Sequence, residues 1–221
     1  MLNHPMSYSK GKKAGLEPDK IRIAVAVSGG GTNLEALLKA EENHLIRSGK
    51  IVLVVSNRKD CYALCRAEKR GIPTFVFREE KELKEKLRQE KIDLLVLAGF
   101  LTILSKDFCQ AFPDRIINIH PSLIPSFCGK GCYGIHVHEK ALARGVKVTG
   151  ATVHFVNEEP DGGRILLQKA VAIRPEDTAI SLQRRVMEEA EWVLLPRAVE
   201  EVAASIDKEK KMVEREKGRS L

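Results

Sequence analysis

Along the chain, short apolar runs alternate with segments whose apolar residues recur at three- and four-residue spacing. Ile21 to Val27 is nearly unbroken and rich in β-branched residues, the pattern of a strand buried on both faces. A helix over Leu34 to Ala40 follows, then a strand over Ile51 to Val55. The next segment, Cys61 to Arg70, reads as a helix stopped by Gly71, a residue suited to a helix C-terminus. The alternation continues with a strand over Thr74 to Phe77, a charged amphipathic helix over Glu79 to Gln89 and a strand over Ile92 to Ala98 ending at Gly99. A short helix over Leu104 to Ala111 leads to a strand over Ile116 to Ile119 that runs into His120-Pro121. Strands this short, separated by helices, predict a parallel sheet covered on both faces.

The pattern then changes. Val148 to Val156 and Arg164 to Val171 read as two strands joined by the polar turn Asn157 to Gly163, an arrangement suited to antiparallel pairing. Ala179 to Val199 reads as one long helix interrupted near Pro196, and Ile206 to Arg219 as charged helix or frayed tail. The expected fold class is α/β: a Rossmann-like open, mostly parallel sheet with helices on both faces and an antiparallel C-terminal portion. Residues 1–19 are expected to form a flexible leader, 20–200 one domain, and 201–221 a charged tail.

Composition narrows the function classes. A chain of 221 residues with 43% apolar content can bury a substantial core. At 5% aromatic content it offers few rings for stacking single-stranded nucleic acid. The net charge of +7 gathers at the two ends, and Lys208, Lys210, Lys211, Arg215 and Lys217 are interleaved with Glu209, Glu214 and Glu216. That mixture reads as a solvated helical face rather than a nucleic-acid stripe. Five cysteines, an odd number without a secretory signal, argue against a disulfide scaffold. The Cys61-x3-Cys65 and Cys128-x3-Cys132 spacings are loose for a zinc knuckle, and no metal is expected. No apolar run reaches membrane-spanning length. A cytoplasmic monomer or homodimer, with neither nucleic acid nor membrane as partner, is the expectation.

Three signals carry chemistry. In Ser28-Gly29-Gly30-Gly31-Thr32-Asn33 a glycine-rich turn leads from a strand into a helix. Backbone N–H groups at such a helix start, with the helix dipole behind them, suit an anion such as a phosphate. Thr32 and Asn33 would add side-chain donors, and a glycine turn without a ligand is the plain alternative. Second, Asn118 and His120 lie two apart at the end of a strand and so project on one side, at the edge where parallel sheets carry ligands. Third, Asp161-Gly162-Gly163 forms a turn shortly after His154 and Asn157. Asn118, His120 and Asp161 together suit attack of an amine on a formyl or acyl carbon. Asn118 and a protonated His120 would face the developing oxyanion, while Asp161 supports the imidazolium and moves a proton. A thiol nucleophile from Cys128 or Cys132 is the rival reading.

These stretches resemble a known family. Ser28 to Leu34, Leu97-Ala98-Gly99-Phe100, Asn118-Ile119-His120-Pro121-Ser122-Leu123-Ile124-Pro125, Gly150 to Val156 and Asp161-Gly162-Gly163, in this order, are similar to the folate-dependent phosphoribosylglycinamide formyltransferases of purine synthesis. The resemblance runs from about Ile21 to Val199. It implies formyl transfer from 10-formyltetrahydrofolate to 5-phosphoribosylglycinamide without a metal. It further implies Asn118, His120 and Asp161 as catalytic residues with His154 in support, and a phosphate on Gly30, Gly31, Thr32 and Asn33. Glu191 is implied at the amine substrate, and Leu101, Thr102, Ile103, Leu104 and Val156 along the folate. Thr102 stands where some relatives carry Arg, and the loop Ser126 to Gly134 resembles a longer form found in a bacterial branch.

Overall fold

The computed structural model describes residues 20–219; the leader expected over 1–19 lies outside them. Seven strands form one sheet in the order β3-β2-β1-β4-β5-β6-β7. They are β1 (Ile21–Val27), β2 (Gly49–Ser56), β3 (Thr74–Val76), β4 (Leu94–Leu97), β5 (Ile116–His120), β6 (Val148–Phe155) and β7 (Ile165–Ala172). The first five pair in parallel, and β6 and β7 are added antiparallel. Because the chain winds outward from β1 to β3 and then returns to place β4 on the other side of β1, a crevice opens at the C-terminal ends of β1 and β4. Open α/β sheets carry ligands at such a reversal.

The period of two along the central strands sorts their side chains into two apolar layers. Ile23, Val25 and Val27 of β1 join Leu94 and Val96 of β4 in one core, and Ala24, Ala26, Leu95 and Leu97 join the other. Helices α1 (Thr32–Glu42), α2 (Tyr62–Glu68) and the C-terminal helices cover the first layer. Helices α3 (Glu80–Gln89) and α4 (Lys106–Ala111) cover the second. In α3 only Leu83 and Leu87 are buried, so this i,i+4 stripe is the helix's apolar attachment, supplemented by Glu80, which accepts from Ser105 N and Oγ. Truncation of either to Ala would cost about 2–5 kcal/mol.

Three features differ from the sequence expectation. A helix α5 (Ile135–Arg144) follows β5; its apolar face of Val137, His138 and Ala141 is narrow and partly polar, so its periodicity is faint. The C-terminal helix is interrupted not near Pro196 but upstream, where α6 (Ala179–Val186) passes through a π turn (Met187–Glu191) into α7 (Trp192–Arg219). Pro196 lies one turn into α7 and costs it a single backbone hydrogen bond, whereas the widened turn swings Glu191 inward. Nor does α7 end near residue 200: Val202, Ala203 and Ile206 belong to the core, which holds the helix to the sheet well past the expected boundary.

Candidate active site

The loops that follow β1, β2 and β4 are tied together at the crevice. Ser28 N donates to the Gly99 carbonyl at 3.2 Å, and Leu101 N donates to Ser28 Oγ at 3.1 Å. Asn57 Nδ2 donates to Thr102 Oγ1 at 2.8 Å. The loop after β4 is therefore fixed on the loop after β1.

Of the three successive glycines, only Gly31 is demanded by conformation. It is the N-cap of α1 with φ 73°, and a Cβ there would lie 2.5 Å from Ala63 Cβ; Gly29 and Gly30 have open space. The loop is pinned to α2 through its carbonyls: Gly29 O accepts from Ala63 N at 3.1 Å and Gly30 O from Arg66 Nε at 2.8 Å. No side chain caps the helix start. The side chains expected as donors already hold partners. Asn33 is buried and its Nδ2 donates to Glu191 Oε2 at 2.7 Å, while Thr32 Oγ1 rests 3.7 Å from Met187 Sδ. The backbone N–H groups of the loop are open to an anion.

The polar set arises from strand register. β5 pairs antiparallel with β6 so that Asn118 stands opposite His154 and His120 opposite Thr152. Asn118 Nδ2 lies 3.1 Å from His154 Nε2, and His154 Nδ1 lies 2.8 Å from the Phe155 carbonyl. His154 is held through Nδ1 by that carbonyl, and its Nε2, set between Asn118 Nδ2 and Asp161 Oδ1, orients the amide. Asn118 keeps its second N–H free for a further acceptor. Asp161 comes from the β6–β7 turn, itself in the left-handed region at φ 57°. Its Oδ2 accepts from Gly129 N at 2.8 Å and lies 3.4 Å from His120 Nδ1; its Oδ1 lies 3.6 Å from His154 Nε2. Gly163 makes this turn possible, because a Cβ there would fall 1.8 Å from the Phe155 carbonyl oxygen.

His120 meets acceptors on both sides, since Nε2 lies 2.9 Å from the Phe127 carbonyl and Nδ1 faces Asp161. That geometry suits an imidazolium, but burial opposes the charge and outweighs Asp161, holding the His120 pKa below its ordinary value. The unliganded ring is thus neutral near pH 7 and poised to become charged when new negative charge appears beside it. For Asp161, burial raises the pKa, but His154, His120 and the Gly129 N–H together outweigh it and hold the carboxyl below its ordinary value. Burial pushes Glu191 up to about 7, against the favourable bond from Asn33. The Cys128 thiol is raised by burial and by Asp161, which speaks against the thiolate that a cysteine nucleophile needs.

A cavity of about 460 Å³ brings these groups together. Asn118, His120, His154 and Asp161 line its centre, and Leu101, Thr102, Ile103, Leu104 and Val156 line it as well. Asn33 and Glu191 border it, whereas Thr32 opens onto a separate groove of about 770 Å³ between α1 and α7. That larger groove holds none of the reactive set. The sequence reading missed His138, Gln183 and Met187, which also line the cavity. His138 had a signal, a histidine on the apolar face of a helix whose periodicity was too faint to see. Among the described residues no group of three or more His, Cys, Asp or Glu side chains is placed to hold a metal ion. No helix of these residues is long and apolar enough to cross a membrane.

Comparison with known proteins gives a consistent picture. The chain is 43% identical over 183 residues to a phosphoribosylglycinamide formyltransferase of Arabidopsis thaliana, covering 78% of this chain and 62% of that protein. A Haemophilus influenzae protein of the same name is 39% identical, with 79% and 84% covered. The chain also spans 20% of a trifunctional purine biosynthetic protein of Gallus gallus at 40% identity, so it matches only part of several curated relatives. A solved phosphoribosylglycinamide formyltransferase from Anaplasma phagocytophilum superposes with a TM-score of 0.77 at 40% identity, over 84% of this chain and 88% of that one. The mostly parallel sheet with its antiparallel end agrees with that fold, and residues 21–199 match the formyl transferase family. The chain belongs to the formyl transferase family.

Proposed function

We propose that this protein transfers the formyl group of 10-formyltetrahydrofolate to the amine of 5-phosphoribosylglycinamide. The observation that carries this reading is the convergence of Asn118, His120 and Asp161 in one cavity beside a glycine-capped helix start. The ribonucleotide phosphate rests on the backbone N–H groups of Gly30, Gly31, Thr32 and Asn33, and Glu191 faces the same substrate. The folate lies against Leu101, Thr102, Ile103, Leu104 and Val156. Both substrates are small molecules. The reaction involves neither nucleic acid nor membrane, and a cytoplasmic monomer or homodimer suffices.

The neutral amine nitrogen attacks the formyl carbon, and the carbonyl π pair moves onto oxygen. Asn118, aimed by His154, donates its free N–H to that oxygen. As the oxyanion develops, its charge offsets the burial that keeps His120 neutral. The ring can then hold a second proton on Nδ1, the nitrogen that faces Asp161, and its charge stabilises the nearby oxyanion. Asp161, itself an ionised carboxylate, takes the proton from the attacking nitrogen, directly or through a water. Collapse of the tetrahedral carbon expels the folate nitrogen, which receives the proton that Asp161 took from the amine as the new formamide forms. Holding both reactants in one cavity supplies rate by orientation.

The test is to mix purified protein with 10-formyltetrahydrofolate and follow tetrahydrofolate, with and without 5-phosphoribosylglycinamide. Release that requires the ribonucleotide, with formyl on its amine, is expected. Equal release without it would overturn the transferase in favour of a hydrolase.

A further inference from the structure

His138 is fully buried in the first turns of α5, yet it borders the cavity. Neither of its ring nitrogens has a hydrogen-bond partner in the protein among the described residues. Leaving a buried donor and acceptor unpaired is unfavourable, and an apolar side chain would fit the Val137–Ala141 face better. Burial, reinforced by the nearby His120, drives its pKa down to about 4. The ring therefore stays neutral and offers one N–H and one lone pair.

That pair of functions selects the ligand group. A phosphate or carboxylate only accepts and would gain most from a cation, whereas a hydroxyl both donates and accepts. Position selects the substrate. Gln183, Met187 and Glu191 line the same cavity as His138, and Glu191 is the side chain assigned to the amine substrate. We infer that His138 is a specificity residue that hydrogen-bonds a ribosyl hydroxyl of the amine substrate. This inference rests on the proposed function and extends it to a side chain outside the reactive set.

The test uses His138→Leu, which removes both polar nitrogens at similar volume, and His138→Gln, which keeps one donor and one acceptor. In His138→Leu the KM for 5-phosphoribosylglycinamide should rise about tenfold, the worth of one buried hydrogen bond. The kcat and the KM for 10-formyltetrahydrofolate should stay within about twofold, and His138→Gln should recover most of the loss. Without ligand, His138→Leu should melt at or above the wild-type temperature, because an unpaired polar group has been removed. A lower melting temperature with an unchanged ribonucleotide KM would mean a structural histidine and overturn the inference. Should the Leu variant fail to fold, wild type and His138→Gln are compared on the ribonucleotide and its deoxyribosyl analogues; equal losses for every hydroxyl removed would overturn it too. Wild-type protein that forms no formylated ribonucleotide would instead sink the proposed function itself.

Discussion

Replacing Glu191 by Gln isolates the energetic consequence of burying a carboxyl in the π turn. Glu191 is 6% exposed, and its pKa stands at about 7 against an ordinary 4.5. At about 1.4 kcal/mol per tenfold, that gap corresponds to roughly 3 kcal/mol. Below pH 4.5 the carboxyl is protonated in folded and unfolded chains alike, and no penalty exists. Between 4.5 and about 7 the folded chain holds the proton more tightly, so stability falls as pH rises; above 7 the loss is complete. Gln never ionises, and its Oε1 can still accept from Asn33 Nδ2, now bonded to Glu191 at 2.7 Å. The amide N–H could also reach Asn33 Oδ1, which is buried with no protein partner among the described residues. Urea denaturation of both proteins at pH 5 and pH 8 should show Glu191→Gln gaining stability relative to wild type with rising pH. Most of the roughly 3 kcal/mol should appear between those two values, moving the midpoint by about 1 M. All other titrating groups are common to both proteins and cancel in the difference. A stability difference that is the same at both pH values would refute the argument that burial destabilises the charged form.

Other substitutions separate chemistry from scaffold. His120→Ala should fold yet lose about 10²–10⁴ in kcat, measured by tetrahydrofolate release. Asp161→Asn should lose as much with its turn intact, since Asn tolerates the left-handed backbone at φ 57°; near-normal turnover in either would cancel these roles. Gly163→Ala should destabilise by about 3 kcal/mol or more in urea, because its Cβ would meet the Phe155 carbonyl oxygen at 1.8 Å. In Gly31→Ala the new methyl would crowd Ala63 Cβ at 2.5 Å. Affinity for the ribonucleotide, read by calorimetry, should fall at least tenfold while folate affinity holds.

The parallel half of the sheet was legible because its strands are buried on both faces and stand out as unbroken apolar runs between helices. The antiparallel end was legible from the polar turn before Arg164. Helix α5 was not, since its buried face carries a histidine where an apolar residue would have completed the period. The π turn escaped because helix width leaves no periodic mark; only Pro196 was visible, and it drew the expected break downstream. At the site, sequence spacing placed Asn118 and His120 on one side of a strand. It could not show that Asn33 turns inward to Glu191 or that the loop after Ser126 bonds both His120 and Asp161. Those contacts join segments far apart in the chain, where local pattern is silent.

The antiparallel pairing of β5 with β6 also bears on the order in which the protein can mature. β6 and β7 form a local hairpin, whose loop closes at little entropic cost. The pairing of β1 with β4 brings Ile23 to Leu94 and must close a much longer loop, the slower kind of event in folding. The Asn118–His154 contact needs only the pairing of β5 with β6, across a loop shorter than the one between β1 and β4. A nascent or refolding chain can thus gather Asn118, His154 and Asp161 before β1 and β4 have met, so the crevice that receives the substrates is the last part of the site to mature.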